Sequence, residues 1–365
     1  MRGGAYIQGS LAALVVALVI QPGCGGGTAG SAPATSVDEV VAEVEGLQGV
    51  ERTKKLVELA EADGGELGLY TTADIDLGAA LAEAFEDEYD IGVSVFKGGD
   101  TLVERIVQER DAGFHGGDVV EIGGHHLIEL EDEGALQPYR SPSVADLAEG
   151  SLHEAWTAER LNMFTVARNT NRVPKDEAPK SWEDLADPRW KGKLALSTGD
   201  PEWFKTLWEY WVSSGKSAAE ADRLVEAIGR NAVFIGSGSL ARQLLAAGEF
   251  DLAVGLRHLV QHEAEEGAPI AWQPAVEPLF WKPDGVGMIA EPPNPAAAML
   301  FIDWLLGPGQ EVFAELKTDP LRKDLLVAPS VDRFPVDVEG FSAEQDDWLK
   351  RYDAFIRLGT KGPES

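Results

Sequence analysis

The chain has 365 residues, 44% of them hydrophobic and 25% charged, which is too apolar for a disordered protein and long enough for two domains with cores of their own. Asp and Glu outnumber Lys and Arg by 62 to 31, giving a formal charge of −31 that repels phosphate backbones and anionic lipid, so no nucleic-acid partner is expected. The single cysteine, Cys24, excludes an intrachain disulfide and a cysteine-rich metal site.

Residues 11–20 (LAALVVALVI) form an unbroken apolar run, with Arg2 the only charge before it. The run is too short for a stable membrane span and suits the hydrophobic region of a signal peptide. Gln21-Pro22-Gly23-Cys24 follows, and a small residue before the sole cysteine resembles a bacterial lipobox, although Gln21 stands where an aliphatic residue is usual. The expected result is a signal over residues 1–23, a lipid on Cys24, and a Gly/Ala/Ser/Thr/Pro-rich tether over residues 24–36. Such a tether holds a folded body within about 40 Å of a membrane.

Residues 37–63 carry apolar side chains at three-to-four spacing and predict one helix. A strand–turn–helix rhythm follows. Strands are predicted at 67–70, 92–97 and 118–122, and helices at 75–89, from about 101, and up to 134. After an extended segment at 162–171 the rhythm resumes. Strands are predicted at 193–196, 232–235 and 250–256, with helices at 202–213 and 240–247. A second extended segment at 279–289 precedes a helix at 296–306. Alternating strands and helices predict an α/β fold, with parallel sheets wrapped by helices. The pattern divides into a first lobe (37–165), a second lobe (166–280), and a return to the first lobe with C-terminal helices (281–365). Two crossings between lobes form a hinge, and ligands of such sheets gather at the carboxyl ends of the strands.

The turns at those strand ends supply the candidate binding residues. They are Thr71, Thr72, Asp74, Gly99, Asp100, Gly124 and His125 in the first lobe, and Ser197, Asp200, Ser237, Ser239, Arg257 and His258 in the second. Hydroxyls and free backbone N–H groups at a strand-to-helix turn suit an oxyanion at the positive end of a helix. Arg257 adds a guanidinium fork. Serines before helices also serve as N-caps, the reading favoured for Ser197. Asp74, Asp100 and Asp200 point the other way, toward an amine, a sugar hydroxyl or a cation. His262-Glu263-Ala264-Glu265-Glu266 begins like a zinc-hydrolase motif, but Glu266 stands at the second histidine position. A helix at 202–213 places Trp203, Leu207, Trp208 and Trp211 on one face, first of all a core face, with Trp203 nearest the cleft.

The segment NTNRVPKDEAPKSWEDLADPRWKGKLAL (169–196) resembles the stretch after the hinge in type II bacterial solute-binding proteins of ABC importers, in their ferric-ion-binding-like class. GELGLYTT (65–72), FKGGD (96–100), GALQPYRSP (134–142), FIGSGSLARQLLAAGE (234–249) and PDGVGMIAEPPNPAAAMLFIDWLLGPGQ (283–310) follow in the family's order. The resemblance covers about residues 51–315 and implies a two-lobed periplasmic-binding-protein fold with two hinge crossings. It implies a monomer outside the cytoplasmic membrane that delivers a small solute to an ABC permease and its ATPase, without catalysis and without a cofactor. The family's ferric binders use a tyrosine pair, and Val260 and Gln261 fall there in this chain. Their histidine and glutamate ligands fall near Asp74 and Gly123. The expected solute is therefore a small anionic or polyoxygen molecule. Alternatives are ferric iron held with a chelating anion, a metal hydrolase using His125, Asp74 and His258, and a sensor presenting its loaded form to a receptor.

Overall fold

The computed structural model describes residues 35–73, 75–99, 101–148, 151–326 and 330–362. Cys24, Asp74 and Asp100, with the expected signal and nearly all of the tether, lie outside the described residues.

The first lobe begins with α1 (Val37–Val44) and α2 (Gly49–Ala62). A capping box starts α1, with Ser36 accepting from the Glu39 backbone N–H and the Glu39 carboxylate accepting from the Ser36 N–H. The single helix expected over 37–63 is thus two. Gly46, between them, and Gly49, at the start of α2, take φ values of +75° and +52°, a left-handed conformation that breaks the helix and that glycine adopts without steric cost. Then come β1 (Glu66–Thr71), α3 (Ile75–Tyr89), β2 (Gly92–Lys97), α4 (Leu102–Asp111), β3 (Val119–Gly123), α5 (Gly124–Asp132) and β4 (Leu136–Gln137). The first crossing is β5 (Trp156–Asn169). The second lobe holds β6 (Leu194–Ser197), α6 (Pro201–Ser213), α7 (Ala218–Asn231), β7 (Ala232–Ile235), α8 (Gly238–Ala247), β8 (Leu252–Leu256), α9 (Arg257–Glu265) and β9 (Ile270–Ala271). The chain returns along β10 (Leu279–Ile289) to α10 (Pro295–Leu305), α11 (Gln310–Glu315) and β11 (Asp319–Pro320). It ends with β12 (Arg333–Pro335), α12 (Val338–Ala343), α13 (Gln345–Ile356) and β13 (Thr360–Lys361).

One sheet runs through both lobes in the order β13-β7-β6-β8-β5-β10-β3-β1-β2. Within each lobe the first strands pair in parallel, β1 with β2 and β3, and β6 with β7 and β8. The crossings join them antiparallel. Leu252 to Leu256 of β8 pair with β5, β5 pairs with β10, and β10 pairs with Gly123 to Val119 of β3. The lobes therefore meet along β5 and β10, with Phe164 opposite Phe280 and Asn162 opposite Lys282. The expected two-lobed α/β fold with two crossings is the fold observed.

α10 is buried almost all round, between α2 and the sheet, and anchors the return to the first lobe. The final segment goes back to the second lobe, where α13 packs on α6 and α7 and β13 extends the sheet beside β7. An aromatic core fills that lobe, including Trp182, Trp203, Phe204, Trp211, Phe280 and Phe355. Trp203 is 1% exposed, so it is a core residue and does not reach the cleft.

Candidate ligand cleft

The floor of the cleft is the pair of crossing strands. A strand points successive side chains to opposite faces. Arg160, Asn162 and Phe164 of β5 and Lys282 and Asp284 of β10 accordingly share the cleft face. The buried Arg160 guanidinium binds Glu121 of β3, Glu159 at 2.6 Å and Asp284 at 2.5 Å. The Asn162 amide donates to the same Asp284 oxygen at 2.8 Å. Glu121 also accepts from the Thr71 hydroxyl. Burial alone would raise the Glu121 carboxyl, but the Arg160 charge and its hydrogen bonds outweigh burial and hold it below the usual carboxylate range. Burial and the neighbouring Glu121 charge push Glu159 well above that range.

Two adjoining chambers open on this floor, of about 520 and 340 Å³, and both are walled by Thr72, Asn162, Phe164, Asp200, Leu256 and Asp284. The larger adds Ser239, Arg242, His258 and His262. The smaller adds His125, His126, Glu202 and Lys282, with Phe341, Gln345 and Leu349 from the C-terminal helices. The helices α5, α8 and α9 begin at the lobe edges facing this space, at Gly124, Gly238 and Arg257, each directly after a strand or its turn. Their first N–H groups have no partner within the helix.

The electrostatics differ between the chambers. Burial, followed by the charges of Arg160, Arg257 and Arg242, pulls His258 down to about 3, so its imidazole is neutral in cationic surroundings. Its Nδ1 has no hydrogen-bond partner among the described residues. In the smaller chamber Glu202 would be raised by burial, but Lys282 and His125, whose Nδ1 lies 3.0 Å from the carboxylate, hold it far below the usual range. Burial opposes the charge on Lys282, yet Glu202, Asp284 and Asp200 together raise it above an ordinary lysine. Burial raises the Asp200 carboxyl.

Of the residues expected at the site, Thr72, Asp200, Ser239 and His258 line the larger chamber, and Thr72, His125 and Asp200 the smaller. The others do different work. Thr71 is buried, accepting from the Ala73 N–H at 2.8 Å while it supports Glu121. Ser197 is buried and its hydroxyl accepts from the Gly199 N–H at 2.9 Å, fixing the turn. Ser237 caps α8, accepting from the Leu240 N–H at 3.2 Å. Gly124 packs α5 onto the hinge, where an added Cβ would lie 3.1 Å from the Pro283 carbonyl. Gly99 follows β2, the outermost strand, and is exposed away from the crossings. Arg257 is the main correction. It is 2% exposed and its guanidinium is closed onto Asp319 at 2.7 Å and the Lys317 carbonyl at 3.0 Å, leaving no fork for a solute.

The floor residues Arg160, Asn162, Lys282 and Asp284 escaped the sequence reading. Their signal is present: polar residues two apart inside otherwise apolar crossing segments, ERLNMF and WKPDGV. At the family's tyrosine positions Val260 is buried in the core, and Gln261 accepts from the Trp272 indole at 2.8 Å. Among the described residues no group of three His, Cys, Asp or Glu side chains is placed to hold a metal ion.

Comparison with known proteins places this architecture. The model of the bacterial extracellular solute-binding protein family matches residues 80–319. A Sinorhizobium fredii protein named probable ABC transporter periplasmic-binding protein y4fP is 22% identical over 301 residues, covering 71% of this chain and 78% of its own. Iron-bound HitA from Pseudomonas aeruginosa superposes with a TM-score of 0.67 at 20% identity, over 79% of this chain and 99% of its own. AfuA from Actinobacillus pleuropneumoniae, with fructose-6-phosphate bound, does so with a TM-score of 0.67 at 22% identity, over 80% and 99%. With its two lobes hinged on paired crossing strands and a polar cleft at their junction, the chain belongs to the bacterial extracellular solute-binding proteins.

Proposed function

We propose that the protein captures a small solute bearing an oxyanion in the cleft and hands it to an ABC permease driven by its ATPase. The observation that carries this reading is His258. This neutral residue, whose ring Nδ1 has no hydrogen-bond partner among the described residues, lines a chamber together with Arg160, Arg242, the Ser239 hydroxyl and the start of α8. The solute is bound and released unchanged by a monomer. The test is calorimetry with propyl phosphate, propylamine and bare ferric ion as probes. Heat of binding is expected for the phosphate alone. Binding of ferric ion without the phosphate would replace this reading with the iron reading, in keeping with the iron-bound neighbour. Ser239→Ala should weaken propyl phosphate about two- to tenfold, the range of one neutral hydrogen bond, since backbone donors remain.

Anchoring belongs to the same proposal. Cys24 follows an apolar signal-length run and precedes a flexible segment, so it is the attachment point for lipid. Cys24→Ala should move the protein from the membrane fraction to the soluble fraction on detergent partitioning. Unchanged partitioning would refute the anchor.

A further inference from the structure

The cleft is chemically two-ended, and Asp200 stands where the ends meet. On one side are His258, Ser239 and Arg242, the last paired with Glu263, with the exposed Asp76 at the mouth. On the other are Glu202 and Lys282. Asp200 occupies the N-cap position of α6, where an aspartate ordinarily accepts from the N–H groups of the first turn. It makes no such bond, and its side chain lines both chambers instead.

The basic groups around it are committed elsewhere. Lys282 and His125 serve Glu202, while Arg160 and Asn162 serve Asp284. The Lys282 charge favours the Asp200 carboxylate most but is shared with Glu202, and the Ser197 hydroxyl, which favours it less, is engaged by the Gly199 N–H at 2.9 Å. Glu202 is paired with Lys282 and His125, and Asp284 shares Arg160 with Glu121 and Glu159, whereas Asp200 forms no ion pair among the described residues. A desolvated carboxylate without one is costly unless the ligand supplies the cation.

We propose that Asp200 is the specificity-determining residue of the cleft and receives the ammonium group of an amine-bearing oxyanion, whose anionic group lies against Ser239 and His258. This rests on the oxyanion reading above and adds the opposite end of the solute. The overall charge supports it: a field set by −31 repels an anion, and an ammonium group that offsets part of the solute's negative charge weakens that repulsion.

The experiment is calorimetry of the full folded protein with 3-aminopropyl phosphate, 3-hydroxypropyl phosphate and propyl phosphate. The amine should bind about ten- to a hundredfold more tightly than propyl phosphate, the range for a hydrogen bond to a charged group. In Asp200→Asn, with the fold checked by circular dichroism, that ratio should collapse toward one. An Asp200→Glu variant keeps the charge and should retain part of the ratio. Equal binding of amine and propyl phosphate by the native protein overturns the proposal while leaving the oxyanion reading intact. So does a preference that survives in Asp200→Asn. A hydroxyl probe that matches the amine overturns the ammonium assignment. If none of the three phosphates binds, the oxyanion reading itself falls, and this proposal with it.

Discussion

Arg160→Ala should lower the free energy of unfolding at pH 7.5 by about 3–5 kcal/mol, the cost of removing one partner from a buried ionic network. Arg160 is 5% exposed, and its guanidinium joins Glu121, Glu159 and Asp284 beneath the cleft. Without it, Glu121 and Asp284 stay buried among oxygens. The loss should depend on pH with a definite sign. In the native protein Glu121 titrates below its ordinary value of 4.5, so its stabilisation is present above that value and is lost as pH falls. Glu159 titrates well above 4.5, so its contribution is full below that value and is lost as pH rises. Removing Arg160 takes away the charge that lowers Glu121, and both acids then favour the protonated state. The variant should therefore lie closest to the native protein near pH 4.5 and furthest from it at pH 7.5. Urea unfolding at the two pH values checks this, and an equal deficit at both would contradict it. Combining Arg160→Met with Glu121→Gln, Glu159→Gln and Asp284→Asn should recover much of the stability, because no charge is left unpaired.

Arg257→Ala is the second large effect, and it should appear as stability rather than affinity. Arg257 opens α9, and Asp319 sits in β11, which pairs with Leu161 and Arg160 of the first crossing. The fork from Arg257 to both Asp319 oxygens, at 2.7 and 3.0 Å, ties the second lobe to the hinge strand. Loss of this buried bidentate pair should cost about 3–5 kcal/mol, with Arg257→Ala/Asp319→Asn milder than Arg257→Ala alone. Burial pushes Asp319 up to about 6 even with Arg257 beside it. A raised carboxyl contributes its stability fully below the unfolded value of 3.8 and loses it as pH rises through 6. Removing the guanidinium raises Asp319 further, so the variant's melting point should fall more at pH 8 than at pH 5. A variant that melts like the native protein but no longer binds propyl phosphate would restore Arg257 to the cleft.

The strand–helix alternation was legible because each strand end is marked by glycine or small polar residues and each helix by an apolar stripe. The helix α3, the strands β2 and β7, and the second crossing β10 fall on the predicted boundaries. The break in the first helix was hidden, since Gly46 and Gly49 interrupt a stripe that remains in phase on both sides. α7 and the tail from β12 to β13 went unassigned, because the partners of the tail, α6, α7 and β7, are far away in sequence. At the cleft, Thr72, His125, Asp200, Ser239 and His258, picked out from their turns, line the two chambers. Local chemistry failed for Arg257, since nothing near that residue reveals Asp319, 62 positions on. It also missed Arg160 and Asp284, whose role depends on two crossing strands pairing in one register.

The space above those strands is proposed to hold an organic oxyanion. Native mass spectrometry of the protein, taken from its own cells without denaturation, tests this directly. A bound species with the mass of a small phosphate-, phosphonate- or carboxylate-bearing molecule, released when the protein is unfolded, is expected. A complex with iron alone, with no organic mass, would contradict it.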